Sequence, residues 1–172
     1  MIAFSFPEKA ILRTFELCGY TKKELLAKLE SSSILLNRYA QELFSSDLFT
    51  PSEKSECISA VELSVSDLGF PEGASLVELR DRAEGFGLQE CPLELGPYLR
   101  LRYTDQIEQE EKNKNKAPLG SVTIISKPLM DDDDFPKGFY LRRMDGALWL
   151  RGYLCSSDYL WNPGDRIVFQ IR

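Results

Sequence analysis

Apolar and polar residues alternate in two runs near the C-terminus, Phe139–Met144 and Ala147–Leu154, on either side of Asp145-Gly146. A period of two predicts half-buried strands, and Asp-Gly between such runs predicts a two-residue type I′ turn. So short a turn fixes the register. Met144 then faces Ala147, Arg142 faces Trp149, Leu141 faces Leu150 and Tyr140 faces Arg151. One face carries Phe139, Leu141, Leu148, Leu150 and Leu154, a core face. The other carries Tyr140, Arg142, Trp149, Arg151 and Tyr153.

In the first third of the chain, apolar positions recur at helical spacing. Ser5-Phe-Pro-Glu8 reads as a capping box ahead of Ile11, Leu12, Phe15 and Cys18, and Thr21-Lys-Lys-Glu24 as a second ahead of Leu25, Leu26 and Leu29. A third helix is expected after Ser31-Ser32-Ser33, with Leu35, Leu36, Tyr39 and Leu43 on one face. Thr50-Pro-Ser-Glu53 predicts a short fourth, to about Ile58. The pattern then changes. Val61, Leu63 and Val65 alternate with polar residues as in a strand, and Gly69-Phe-Pro-Glu-Gly73 is a turn. Ser75-Leu-Val-Glu78 opens a helix with Leu76, Leu79, Ala83 and Phe86 inward, ended by Gly87.

Tyr98–Tyr103 alternates behind Pro97 and predicts a strand. Asp105–Lys116 is almost wholly charged or amide, which predicts a mobile loop that buries nothing. Strands are expected near Val122–Ser126 and Arg166–Ile171, the latter with Ile167, Phe169 and Ile171 on one face after the turn Asn162-Pro-Gly-Asp165. The expected class is α+β. Short N-terminal helices (residues 1–58) pack on, or continue into, a mostly antiparallel sheet of about five or six strands with one inserted helix (residues 59–172).

Composition narrows the function classes. A chain of 172 residues should bury roughly 70% of its unfolded surface, so it needs no staple. A net charge of −6 disfavours a general nucleic-acid binder or an anionic membrane surface, and favours a basic protein partner. Cys18, Cys57, Cys91 and Cys155 form no CxxC pair, and most sit beside apolar residues, the pattern of buried free thiols. Histidine is absent, so neither a zinc site nor another metal or cofactor is expected. There is no apolar run of about 18 residues and no signal-peptide core, which predicts a cytoplasmic protein that does not enter the membrane. General acid–base work would fall to Asp, Glu, Lys, Tyr or Cys. No phosphate-cradling, nucleophile-elbow or metalloprotease motif is present. Asp67, Glu94, Asp145 and Asp165 lie at turns or strand ends and are assigned turn roles. A non-enzymatic role is favoured.

Two features remain as candidate binding residues. The first is the stripe Tyr140, Arg142, Trp149, Arg151 and Tyr153, of the residue types that dominate binding hot spots. Its competing reading is that the N-terminal helices cover it. The second is the run Asp131, Asp132, Asp133 and Asp134, expected to be a solvated loop or a docking loop for a basic partner rather than a cation site. These point to a protein-binding module such as an inhibitor, an immunity-type protein or an adaptor. An alternative is a nucleic-acid-associated regulator: Gly19–Leu43 resembles helix-turn-helix segments, with Asn37, Arg38 and Gln41 as base readers. Against it, Lys9, Arg13, Lys22, Lys23, Lys28 and Arg38 are nearly cancelled by Glu8, Glu16, Glu24, Glu30 and Glu42. A second alternative is a small-ligand binder or enzyme with an Asp/Glu site. The oligomeric state is left open.

Residues 60–172 also resemble a group of small uncharacterised bacterial proteins. The likeness lies in Asp67-Leu-Gly-Phe70, Gly87-Leu-Gln-Glu-Cys-Pro92, Gly96-Pro-Tyr-Leu-Arg-Leu-Arg-Tyr103, Leu148-Trp-Leu150 and Trp161-Asn-Pro-Gly-Asp-Arg-Ile-Val-Phe169. It implies a bacterial, cytoplasmic, self-contained unit and no particular activity.

Overall fold

The computed structural model describes residues 5–109 and 117–172. Along the chain run β1 (Ile11–Cys18), α1 (Lys22–Ser31), β2 (Leu35–Leu36), α2 (Arg38–Ser45), β3 (Ser55–Ser64), β4 (Ala74–Ser75), α3 (Leu76–Gly85) and β5 (Leu88–Gln89). Then follow α4 (Leu95–Arg102), β6 (Val122–Ile124), β7 (Gly138–Met144), β8 (Ala147–Tyr153), β9 (Leu160–Trp161) and β10 (Arg166–Ile171). Eight strands form one mixed sheet in the order β1-β3-β10-β6-β7-β8-β2, with β5 also paired to β10. The β10–β6 and β2–β8 pairs are parallel and the others antiparallel. The class is α+β, with more strands than the sequence pattern counts.

Both faces of this sheet are buried at its middle. On one face α1, α2 and α4 bury Leu25, Leu43 and Leu99 against Phe15, Phe139, Leu141, Leu150 and Val168. On the other, α3 sets Leu79 and Ala83 against Val61, Leu63, Ile167 and Phe169. Strand β10 is apolar at successive positions for this reason: Val168 points into one core, Ile167 and Phe169 into the other.

The helices α1 and α3 start where their capping boxes predict, at Thr21 with Glu24 and at Ser75 with Glu78. Three other assignments are corrected. Residues Ile11–Cys18 form strand β1, because Phe15 and Leu17 alternate into the core and β3 offers a full-length partner. The segment after Thr50 is not a helix; the chain enters β3 at Ser55. Tyr98–Tyr103 is not a strand: Tyr98–Arg102 belong to α4 and Tyr103 caps its end, and Pro97 sits in the first turn, where its missing N–H costs nothing. Leu95, Tyr98 and Leu99 face inward at helical spacing, and their alternation with arginines is coincidental. Nor is the chain before residue 58 a helical unit, since it supplies β1 and β2 at the two ends of the sheet. Cys91 and Cys155 are buried, but Cys18 and Cys57 lie exposed on the β1–β3 ribbon.

Helix α2 is shorter than expected and begins after Asn37, whose side chain ties it to the sheet. Asn37 Nδ2 donates to the Gly152 carbonyl (3.0 Å), and Asn37 Oδ1 accepts from the N–H groups of Gly152 (2.8 Å) and Ala40 (2.9 Å). The contact demands glycine at position 152: a Cβ there would lie 2.6 Å from the Tyr39 carbonyl carbon and 2.8 Å from the Ala40 nitrogen. Gly152→Ala is therefore expected to cost about 1–3 kcal/mol, read as a lower denaturant midpoint. An unchanged midpoint would show that α2 can lift off β8 freely.

Candidate functional site: the aromatic–arginine face of the β7–β8 hairpin

The hairpin has the register its turn predicts, from Met144 opposite Ala147 to Gly138 opposite Tyr153. Asp145 (φ 52°) and Gly146 (φ 74°) both take the left-handed conformation of a type I′ turn. Helices α2 and α4 contact β8, and they do so through the core that holds Phe139, Leu141 and Leu150. The N-terminal helices thus lie on the face opposite the aromatic stripe. Leu154, assigned to the core by alternation, is exposed beyond the point where α2 closes on Gly152.

Tyr140, Arg142, Trp149, Arg151 and Tyr153 share the other face, all half-buried. Arg151 organises them. Its Nε donates to the Tyr140 hydroxyl at 2.7 Å, and its guanidinium lies 5.8 Å from the Tyr140 ring centre and 5.2 Å from that of Trp149. The strand pleat puts Trp149 two residues from Arg151 on the same face, within reach of its guanidinium. Tyr153 roots the stripe in the second core through edge-on contacts with Tyr140 (6.5 Å) and Trp161 (5.9 Å). Burial pushes its phenol pKa far up, so it acts as an apolar anchor. The Trp149 indole N–H has no acceptor among the described residues.

A buried polar network braces the hairpin from behind. Arg100 on α4 is fully buried. Its guanidinium donates to Gln106 Oε1 (2.5 Å), to the Trp149 carbonyl (3.4 Å) and to the Tyr103 carbonyl. Burial pulls its pKa down to about 10, so it keeps its charge at neutral pH. The Gln106 amide in turn donates to the carbonyls of Gly120 (2.8 Å) and Leu141 (3.1 Å). This corrects the expectation that Asp105–Lys116 buries nothing: Gln106 is 1% exposed, because its amide pairs with carbonyls that the fold would otherwise leave unmet. The rest of that expected loop, 110–116, lies outside the described residues.

Two residues on, the Glu108 carboxylate accepts from the N–H groups of Asp145 (2.7 Å) and Gly146 (3.0 Å) and so clips the turn. These bonds, first that of Gly146 and then that of Asp145, hold its pKa below the ordinary carboxylate value, with smaller help from Arg143 and Arg142. A depressed folded-state pKa means the clip is complete above the ordinary value and is lost as pH falls through the depressed one. The Gly146 amide resonance is expected to titrate with a midpoint below that of a free glutamate. A midpoint at or above it would show that the clip does not form.

The acidic run is ordered from beneath. Lys137 is 6% exposed, and its ammonium donates to the carbonyls of Met130 (3.2 Å) and Asp132 (2.7 Å). Asp132 Oδ1 accepts from the Asp134 N–H at 2.9 Å. All four aspartates are exposed, and among the described residues no cluster of three or more potential ligands could hold a metal ion. The Lys137 N–H donates to the Tyr153 carbonyl at 2.8 Å, so this loop adjoins the inner end of the aromatic stripe. Leu129 and Phe135, which flank the run, pack against the core that holds Phe139, Leu141 and Leu150.

The other candidates fare differently. Asn37 is held on both sides by Gly152, Arg38 lies 5.3 Å from the Tyr39 ring centre, and β2 separates α1 from α2. The segment therefore lacks the open helix pair a groove reader needs. Asp67 and Asp165 accept backbone N–H bonds from Ser64 and Asn162, which are turn roles, whereas the buried Glu94 accepts from the distant Ser52 N–H and so has no local turn role there. The chain matches no family model, no curated protein and no solved structure.

Sequence reasoning missed one cleft. It has a volume of about 450 Å³ and lies between β1, the end of α1 and α4, lined by Glu16, Tyr20, Lys28, Tyr98 and Arg102 among others. Its walls exist only once residues 95–102 are read as a helix. Among the described residues no helix is long and apolar enough to cross a membrane.

Proposed function

We propose that this protein is a non-enzymatic protein-binding module. Its anchor is the face Tyr140–Arg142–Trp149–Arg151–Tyr153, and the loop Asp131–Asp134 attracts a basic partner. The observation that carries this reading is the arginine held between two rings, Arg151 with Tyr140 and Trp149, on the sheet face opposite α1, α2 and α4. Holding these large side chains in place before binding removes much of the ordering cost that association otherwise carries. The half-buried Trp149 adds a large apolar ring to this face. Four exposed aspartates on a chain of net charge −6 raise the encounter rate with a basic surface and set no chemistry of their own. Inhibitor, immunity-type and adaptor roles all fit this surface.

Site-specific photo-crosslinking in cells tests it. A crosslinker in place of Tyr140 should capture one or a few proteins of basic surface charge. Changing Asp131–Asp134 to Asn should slow association at low salt and matter less at high salt. A Tyr140 crosslinker giving the same background as one at exposed Lys23 would overturn the proposal.

A further inference from the structure

Strand β1 is an edge of the sheet, and α4 seals only part of it. The Tyr98 hydroxyl accepts from the backbone N–H of Cys18 and of Tyr20, each at 3.1 Å. Four residues along the same helix, the Arg102 guanidinium donates to the Thr14 carbonyl at 2.6 Å. In an antiparallel edge strand, alternate residues turn both backbone groups outward. Thr14 and Cys18 do so, and Glu16 between them must do the same. Tyr98 and Arg102 therefore bracket one residue whose N–H faces the cleft, with its carbonyl touched, among the described residues, only by the Cys18 thiol at 3.6 Å.

The cleft around this window is built for an anion. Tyr20 and Tyr98 stack with ring centres 5.8 Å apart and planes 11° from parallel, forming one aromatic wall. The Lys28 ammonium lies 4.3 Å from the Tyr20 ring centre, and the Arg102 guanidinium 5.6 Å from that of Phe15. Both lone pairs of the Tyr98 oxygen are engaged, which leaves its proton to donate. The other titratable groups lining the cleft are Cys18, Tyr20 and the Glu16 carboxylate, whose position in the strand sends it to the face opposite Phe15. Lys28 and Arg102 against Glu16 leave the cleft cationic in a chain of net charge −6.

We infer that this cleft binds the free C-terminal carboxylate of an extended peptide. The last residue of the ligand pairs with the outward N–H and carbonyl of Glu16, its side chain rests on the Tyr20–Tyr98 wall, and its carboxylate lies between Lys28 and Arg102. This is strand addition shortened to one residue, with the terminal charge supplying the rest of the recognition. The inference does not depend on the hairpin face, which lies at the other end of the sheet.

The test is amide NMR on the full chain with two probes: a pool of acetylated tetrapeptides with free carboxylates, and the same pool amidated. The free-acid pool should move the Glu16 and Tyr20 amides at about 1 mM peptide, and the amidated pool should not. Lys28→Gln should weaken the response about fivefold or more, whereas Lys23→Gln on the same helix should leave it unchanged. No movement of the Glu16 amide, or equal movement with amidated peptides, would overturn the assignment. An equal response in Lys28→Gln and Lys23→Gln would overturn the role given to Lys28 and with it the carboxylate's position.

Discussion

Replacing Glu62 by Ala is expected to remove about 3–5 kcal/mol of stability. Glu62 sits on β3 near the centre of the β1-β3-β10 ribbon and is 5% exposed. Arg13 from β1 reaches its Oε2 at 2.6 Å, and Arg166 from β10 reaches its Oε1 at 3.0 Å. Arg13 also stacks 5.0 Å from the Tyr103 ring centre, which ties the segment after α4 to the cluster. With the carboxylate gone, two half-buried guanidiniums would face each other across a truncated side chain, and among the described residues only Arg166 has a second carboxylate within ion-pair distance, Asp67 at 3.8 Å. The cost is that of uncompensated charge, not of one lost bond. Glu62→Gln should fall between, because the amide oxygen still accepts from one arginine. The exposed pair Arg172–Glu84, 3.0 Å apart with side chains 51% and 70% exposed, supplies the contrast: Glu84→Ala should shift stability by no more than about 0.5 kcal/mol. Urea unfolding of the three variants checks the ranking. A loss below about 1 kcal/mol in Glu62→Ala would mean that solvent screens the cluster far more than its burial implies.

The second large effect is on binding. Trp149→Ala should weaken the captured partner about 30-fold or more, the scale of a hot-spot truncation. The loss should appear in dissociation rather than association, since the indole forms contacts after encounter while Asp131–Asp134 act before it. Arg151→Lys tests the geometry more finely. It keeps the charge but loses the planar group that bonds to Tyr140 and spans both rings. It should behave more like Trp149→Ala than like wild type, with stability little changed. A variant that binds like wild type would reduce Arg151 to a generic cation.

How much of this was legible in the chain depends on where the information was local. The hairpin was readable in full, register included, because a two-residue turn leaves no freedom and the alternation beside it is clean. The capping boxes of α1 and α3 were readable because both of their partners lie within one helical turn. Strand β1 was not, because Ile11, Leu12, Phe15 and Cys18 fit a helical stripe as well as they fit a strand. Only the pairing with β3, some forty residues away, decides between the two. Helix α4 was misread for the opposite reason: Leu99 and Leu101 alternate with arginines, yet Arg100 is itself buried, its charge met by carbonyls that no local pattern reveals. That error also hid the β1–α4 cleft. The candidate stripe was legible as a set of residues, whereas the grouping of Arg151 with both rings, and the fact that α1 and α2 lie on the far face, depend on tertiary packing.

The most direct test of the central claim is single-tryptophan fluorescence. The chain has two tryptophans, and Trp161→Phe leaves Trp149 as the sole reporter. Acrylamide should quench Trp149 in the free protein, and addition of the crosslinked partner, purified, should shield it and shift its emission. Quenching that the partner leaves untouched would place the interface elsewhere and contradict the assignment of this face.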